Sequence, residues 1–304
     1  MVEQKQAEKN MFRLVGAEYK KVSSPQPKEN KTQSLQGKPL ASLIILSIIV
    51  MGCIFAQVLA NHDPTGFYLQ HINEAPSREF LFGTDYLGRD IYSILWYGGR
   101  ISLLVGLSGA AIITAIGIIV GCISGTANNK VDYLLMRSVE ICGSIPNLLL
   151  VLVLSAVFRT GSVLYISLII GVTGWFGLAR IVRSEVRQIR NREYVLYARS
   201  CNGSFLYVIR HHLIPNLIPA IMFVVISSIG SCIMMESTLS FLGLGLPVNI
   251  VSWGSMLSLA NKALIMNTWW VIIFPGAFLL VTLVCITSIG ASFYRKINPR
   301  HSNL

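Results

Sequence analysis

Long uncharged apolar runs alternate with short charged stretches along most of the chain. Leu40–Ala60 carries no charge over 21 residues, and Ile101–Asn129 is uncharged between Arg100 and Lys130. A bilayer hydrocarbon core of about 30 Å needs about 20 apolar residues in helical form, so each of these runs predicts a membrane-crossing helix. Ile141–Phe158 is shorter, at 18 residues, which moves its predicted helix start back to about Val131. Arg137 and Glu140 then fall in its first turns, three residues apart and able to pair on one face. Thr160–Ala179, Leu213–Met235 and Ala263–Tyr294 supply the fourth, fifth and sixth predicted spans.

Composition agrees with that pattern. The 304 residues are 53% hydrophobic and only 13% charged, with a mean hydropathy of +0.60. That is about half the charge of a soluble domain, which excludes a water-soluble fold. The net charge of +11 lies between and beside the apolar runs, as membrane orientation signals do, and not as a nucleic-acid patch. Eight Lys/Arg precede the first span, and seven Arg lie in Arg180–Arg210 against Glu185 and Glu193 alone. Both stretches are therefore expected in the cytoplasm. The loop Asn61–Gly99 sets Arg78 and Arg89 against Asp63, Glu74, Glu79, Asp85 and Asp90, so it is expected outside. Six spans reconcile these placements, with Arg295, Lys296 and Arg300 returning inside. The six cysteines contain no CxxC and lie far apart, so they read as small packing residues.

One uncharged run does not read as a helix. Gly243, Gly245, Pro247 and Gly254 interrupt Ser237–Asn261, and non-helical backbone at membrane depth is tolerated only where protein buries it or water wets it. The segment reads as an outer re-entrant element lining a path, or as an ordinary loop. Glu236, just before it, could bind a substrate amine or hold the hairpin by hydrogen bonds. Together with Ser240, Gly243 and Gly245 it makes up the candidate path or gate set.

Several chemistries are missing. No GxxxxGKS/T occurs, so any ATP is bound by another chain. The span interiors lack the acids and histidines of a proton relay, which argues against ion coupling. No internal repeat of the kind found in secondary transporters is visible. His62, Asp63 and His71 could touch a metal on the outer face or simply be solvated, and the adjacent pair His211 and His212 points in different directions on a helix. No metal site is expected.

The most informative segment is the basic stretch REYVLYARSCNGSFLYVIRHHLIPN from Arg192. It reads as two short helices, Glu193–Cys201 and Ser204–His212, broken at Asn202-Gly203, whose residue types accept left-handed backbone angles. Pro215 opens the fifth span, where its missing amide proton costs little. Such a stiff amphipathic knob could fill a groove in a soluble partner, or lie on lipid as a basic surface helix.

This stretch resembles the EAA loop of ABC-importer permeases, specifically the second permease subunit of oligopeptide and dipeptide importers. Glu193, Tyr194, Val195, Ala198, Arg199, Ser204, His212, Pro215 and Asn216 match that pattern, while Tyr197 and Asn202 depart from it. Gly83-Thr84-Asp85 with Leu87-Gly88-Arg89-Asp90 resembles the family's GTD-x-x-GRD signature. GGRISL at Gly98–Leu103, LSFLGLGLP at Leu239–Pro247, SWG at Ser252–Gly254 and WWVIIFPG at Trp269–Gly276 follow in the family's order. After the last span Gly290-Ala291 stands where the family usually carries an acidic G-D.

The resemblance implies an all-α, polytopic type I ABC-importer permease (MetI-like) fold with six transmembrane helices, in the cell membrane with both termini cytoplasmic. Residues 1–39 would form a disordered cytoplasmic tail, 40–60 the first transmembrane helix and 61–99 an extracytoplasmic loop. Residues 100–294 would form a five-helix core, with a coupling loop at 180–214 and the outer re-entrant segment at 237–261, followed by a cytoplasmic tail at 295–304. The implied partners are a homologous permease subunit in a heterodimer, two ATP-binding subunits, an extracytoplasmic solute-binding protein and membrane lipid, with no nucleic acid. No cofactor is expected on this chain, ATP and Mg being held by the partner subunits, and the chain itself is not an enzyme. The ATPase-coupling set is Glu193, Tyr194, Tyr197, Ala198, Arg199, Asn202, Gly203, His212 and Pro215. Oligopeptides or dipeptides are the expected cargo. Nickel or a metal chelate carried by the same machine is an alternative, and a non-transport sensing or assembly module is another. Small residues Gly106, Gly109, Gly117 and Gly121 could allow close helix approach or reflect ordinary membrane-helix composition. If the knob docks on an ATPase, Ala198→Trp and Gly203→Pro each abolish uptake while the subunit still inserts; ATPase copurification and uptake assays check this.

Overall fold

The computed structural model describes residues 39–158, 161–193, 195, 200, 211, 213–247 and 250–297. Among these residues the regular structure is helical, and the only extended pairing is an isolated bridge between Thr84 and Asp90. The helices are α1 (Leu40–Ile54), α2 (Ala56–Leu59), α3 (Ile91–Thr126), α4 (Asn129–Gly143), α5 (Asn147–Phe158) and α6 (Val163–Gly174). They continue with α7 (Phe176–Arg190), α8 (Ile214–Phe241), α9 (Trp253–Leu257), α10 (Ala260–Ile265) and α11 (Trp270–Ile297).

The spine is α3, whose 36 residues extend about 54 Å. It packs along α6, α7 and α8 and also meets α1 and α4, while α11 lies against α8 and α1. In a bundle surrounded by hydrocarbon, apolar burial does not by itself favour helix association, so close packing must supply the attraction. The face of α3 that meets α7 provides it. A Cβ at Gly117 would lie 2.9 Å from Leu178 Cδ2, one at Gly121 would lie 2.5 Å from Val182 Cβ, and one at Gly125 would lie 2.7 Å from Val186 Cγ1. Higher up the same helix, Gly109 faces the side chain of Cys232 on α8. These glycines are therefore a packing track. Cys53, Cys122, Cys232 and Cys285 are buried free thiols, and Cys142 is exposed.

Helix boundaries differ from the charge-defined ones in instructive ways. Instead of Ile101, α3 starts at Ile91, because Asp90 caps it by accepting from the Ser93 amide. Arg100 is accommodated inside it: its guanidinium donates to the carbonyls of Cys53 (2.5 Å) and Ile54 (2.7 Å), at the end of α1, where carbonyls lack the partners of a continuing helix. The basic stretch from Arg180 is not all loop, since α7 carries helix as far as Arg190. Leu178, Ala179, Val182, Val186 and Ile189 are its buried residues, a spacing that follows the helical period. Likewise α8 continues through Glu236 to Phe241, past the end of the predicted fifth span. Gly243 is the first residue there to take a positive φ (+76°), so the break falls at the first glycine and not at the charge.

Three helices, α3, α8 and α11, are long and apolar enough to cross a membrane unbroken. The pairs α4/α5 and α6/α7 pass the same test together but are bent by 79° and 49°. The first bend falls at Ser144–Pro146, where proline disfavours helical geometry in the residue before it. Among the described residues this gives three spans, or up to five if each bent pair is one span, against the six predicted. The predicted first span is represented by α1, whose 15 residues extend only about 22 Å.

If the glycine track holds α3 to α7, Gly121→Leu overpacks it and costs about 1–3 kcal/mol. Thermal unfolding of the detergent-solubilised protein should show a lower midpoint. Gly177→Ala, at a position with no neighbouring atom within 4 Å, should leave the midpoint unchanged.

Candidate functional site

Charged side chains are sparse in this bundle, and among the described residues the buried carboxylates lie towards its two ends. At one end residues 61–90 form a cap over the start of α3. Asp85 accepts from the Leu87 and Arg89 amides, both at 2.9 Å, and from Arg89 Nε (2.8 Å) and Nη2 (2.7 Å). Gly83 and Gly88 both have φ +75°, and a Cβ at Gly88 would strike the Tyr68 backbone. The neighbouring Thr84 donates to the His71 carbonyl, accepts from the Glu74 amide, and through its own carbonyl accepts from Trp270 Nε1 at 3.0 Å. The Gly-Thr-Asp and Gly-Arg-Asp segments thus fold the cap and fasten it to α11.

The histidines of the cap have partners within it. His62 stacks on Phe80 and lies 3.6 Å from Asp90, and His71 lies 2.7 Å from Glu74. The Asp63 carboxylate accepts from the Thr65 hydroxyl and amide, which hold its pKa below the usual range.

Beneath the cap is Glu236, fully buried. Its carboxylate accepts from the hydroxyls of Ser252 (2.7 Å) and Ser240 (2.8 Å), and from Ser102 at 3.2 Å. The bond network joins three elements: Ser102 on α3, Glu236 and Ser240 on α8, and Ser252 at the N-cap of α9. Ser252 also forms a reciprocal capping box with Ser255, and Ser102 accepts from the Trp253 amide at 3.2 Å. Trp253 is itself buried and donates its indole N–H to the Leu95 carbonyl at 3.0 Å. A buried charge is costly unless it is paired or hydrogen-bonded, and here hydroxyls from three segments supply the bonds. Through these bonds Glu236 links α3, α8 and the start of α9.

The other candidate path residues divide. Ser240 belongs to the Glu236 node, and a Cβ at Gly245 would fall against Ser240. Gly243 turns the chain. Gly243 and Gly245 line an open cleft of about 370 Å³ with Pro247, Gly161, Tyr165 and Ser155, whereas Glu236 and Ser240 do not.

At the opposite end the organising group is Asp132, which the sequence reading passed over. Arg183 grips it with two bonds, Nε to Oδ1 (2.5 Å) and Nη2 to Oδ2 (2.6 Å). Arg187 Nη2 adds a third at 2.5 Å, and the Ser124 hydroxyl donates at 2.6 Å. This carboxylate therefore ties α4 to α7 and α3. Arg137 and Glu140 pair with each other at 3.2 Å, as their spacing predicts, on an exposed face, where an ion pair contributes little. A sequence signal for Asp132 did exist. It is the only acid between Asp90 and Glu140, in a chain with an arginine-rich stretch to satisfy.

Of the coupling set, Glu193 is described and exposed, and Pro215 lies in the first turn of α8. Tyr194, Tyr197, Ala198, Arg199, Asn202, Gly203 and His212 lie outside the described residues.

Apolar helices long enough to cross a bilayer, with buried carboxylates where helices are joined, define a multi-pass membrane protein. Residues 116–303 match the family described as "Binding-protein-dependent transport system inner membrane component", and the chain belongs to that family. Curated relatives cover most of the chain. It is 34% identical over 261 residues to the "Oligopeptide transport system permease protein OppC" of Bacillus subtilis strain 168, covering 86% of this chain and 85% of the relative. To the "Dipeptide transport system permease protein DppC" of the same organism it is 35% identical, covering 86% and 81%. Identity to the OppC of Haemophilus influenzae is 37% over 265 residues, covering 86% and 84%.

Glu236→Ala leaves three serine hydroxyls without their acceptor and should destabilise the fold by about 1–3 kcal/mol. Glu236→Gln keeps an acceptor oxygen and should cost less. Thermal unfolding combined with recovery of the assembled complex checks the order; normal assembly with selective loss of uptake in both variants would indicate a substrate-binding role instead.

Proposed function

We propose that the chain is one permease subunit of an ATP-driven importer of oligopeptides or dipeptides. It forms half of a translocation path with a homologous permease, is powered by two cytoplasmic ATP-binding subunits and receives cargo from an extracytoplasmic solute-binding protein. In this reading it crosses the membrane six times with both termini inside. The arginine-rich end, with Asp132, Arg183 and Arg187, faces the cytoplasm, and the cap at residues 61–90 faces out, in keeping with the distribution of positive charge. The segment Glu193–His212, which follows α7, is the knob that enters the ATPases. The coupling residues are those named from the sequence, and ATP and Mg stay on the partner subunits.

The observation that carries this reading is the extent of the likeness: relatives named as oligopeptide and dipeptide permeases match 86% of the chain and more than four-fifths of their own length. The geometry supports it. The segments that resemble the peptide-permease family, Gly98–Leu103, Leu239–Pro247, Ser252–Gly254 and Trp269–Gly276, assemble with the cap at one end of the bundle, well away from the arginines of α7. Rigid-body gating requires a packed bundle of this kind.

The test is reconstitution in proteoliposomes of this chain with a partner permease, ATPase subunits and binding protein. Uptake of labelled di- and oligopeptides should require ATP, the binding protein and this subunit, and this chain alone should not hydrolyse ATP. Uptake that proceeds without the ATPases, or ATP hydrolysis by the isolated chain, would overturn the proposal.

A further inference from the structure

Asp132 stands at the junction of three helices. Its two oxygens take bonds from α7 through Arg183 and Arg187 and from α3 through Ser124, and its side chain is only 7% exposed. Three helices further along the chain, α7 ends at Arg190, whose guanidinium donates to the Gly125 carbonyl at the end of α3 at 2.9 Å. Three residues further on is Glu193, where the coupling segment begins. In the other direction α4 bends by 79° into α5, and α5 brings Ser155 and Ala156 to the cleft lined by Gly243, Gly245 and Pro247. The bent pair α4/α5 therefore has Asp132 near one end and the cleft at the other.

Among the described residues the helices that α4 meets most are two. It packs on α3 and α7, whereas α5 packs on α6. The Arg137–Glu140 pair stays on its own helix surface. What distinguishes the α4–α7 contact is a two-pronged Arg–carboxylate bond, a planar geometry that a hydrogen-bonded amide or a lysine cannot reproduce. Two elements joined this way move together.

We infer that Asp132 is a positioning residue for coupling: it acts as a strut that carries displacement of α7 into α4 and, through the bend, into α5 at the cleft. The inference rests on the importer reading, because α7 is driven only if the segment after it engages an ATPase. Asp132 touches neither nucleotide nor cargo, so its removal should uncouple the machine without stopping the ATPases.

The experiment uses the full reconstituted complex and scores labelled di- and tripeptide uptake per ATP hydrolysed. In D132N, ATPase subunits should copurify normally and ATP hydrolysis should persist, while uptake per ATP falls about tenfold, within the range that single substitutions change coupling. A second variant, Asp132→Cys with Arg183→Cys in a background carrying Cys142→Ser and Cys201→Ser, should be uncoupled in the same way. Bridging its two thiols with a short bis-methanethiosulfonate should restore uptake per ATP, and reductant should remove it again. An unchanged ratio in D132N overturns the inference, as does a parallel fall in assembly, hydrolysis and uptake, or a bridged protein that stays uncoupled. A wild-type complex that hydrolyses ATP but imports no peptide would instead refute the peptide-import reading on which the inference rests.

Discussion

Close approach of neighbouring helices to α3 is the constraint on which the bundle depends. Lipid tails are as apolar as leucine, so a helix gains nothing by leaving them for an apolar neighbour unless the two surfaces fit more closely than lipid would. Gly117, Gly121 and Gly125 let Leu178, Val182 and Val186 of α7 into the surface of α3. Dispersion attraction is short-ranged, and a gap of even half an ångström loses much of it. The same contact sets where the arginines of α7 lie, because their positions along the helix are fixed once its apolar edge is seated.

Polar groups then specify the arrangement that packing favours. Glu236 is satisfied by serines from α3, α8 and the start of α9, and a slip in any of those elements would leave a buried carboxylate short of donors. Asp132 does the same for α3, α4 and α7 at the opposite end. Arg100 adds a third fastening by supplying donors to the terminal carbonyls of α1. In each case the energetic asymmetry matters more than the strength of a single bond, since an unmet buried group costs more than a met one contributes. The two ends are therefore held in register, and the helix pairs that join them turn at Ser144–Pro146 and Trp175.

Much of this was legible from residue patterns. Apolar runs between charges located the cores of α3, α8 and α11, whereas the segment 237–261, read as non-helical, is helical up to Phe241 and again in α9 and at the start of α10, with the positive φ at Gly243 between them. Charge itself misled about ends. Arg100 looked like a boundary and is helical, because carbonyls at the end of α1 satisfy it; Arg180 looked like the start of a loop, although Ala179, Val182, Val186 and Ile189 keep the helical period through Arg190. Glu236 was recognised as unusual, and its bonding role was one of the readings open to it. Asp132 was missed because its arginine partners lie 51 and 55 residues away.

What the sequence determined by itself was the class of the protein, since a chain this poor in charge must place long helices in lipid, and motif order pointed to its family. Only the tertiary structure decided which polar residues matter to one another. Ser102 meets Glu236 across 134 residues of chain and the Trp253 amide across 151. Periodicity reports which face of a helix is apolar, but not which neighbour that face will meet or which acid will stand opposite a given arginine. Those choices are made when helices pack, because a buried charge selects its partner by distance in space.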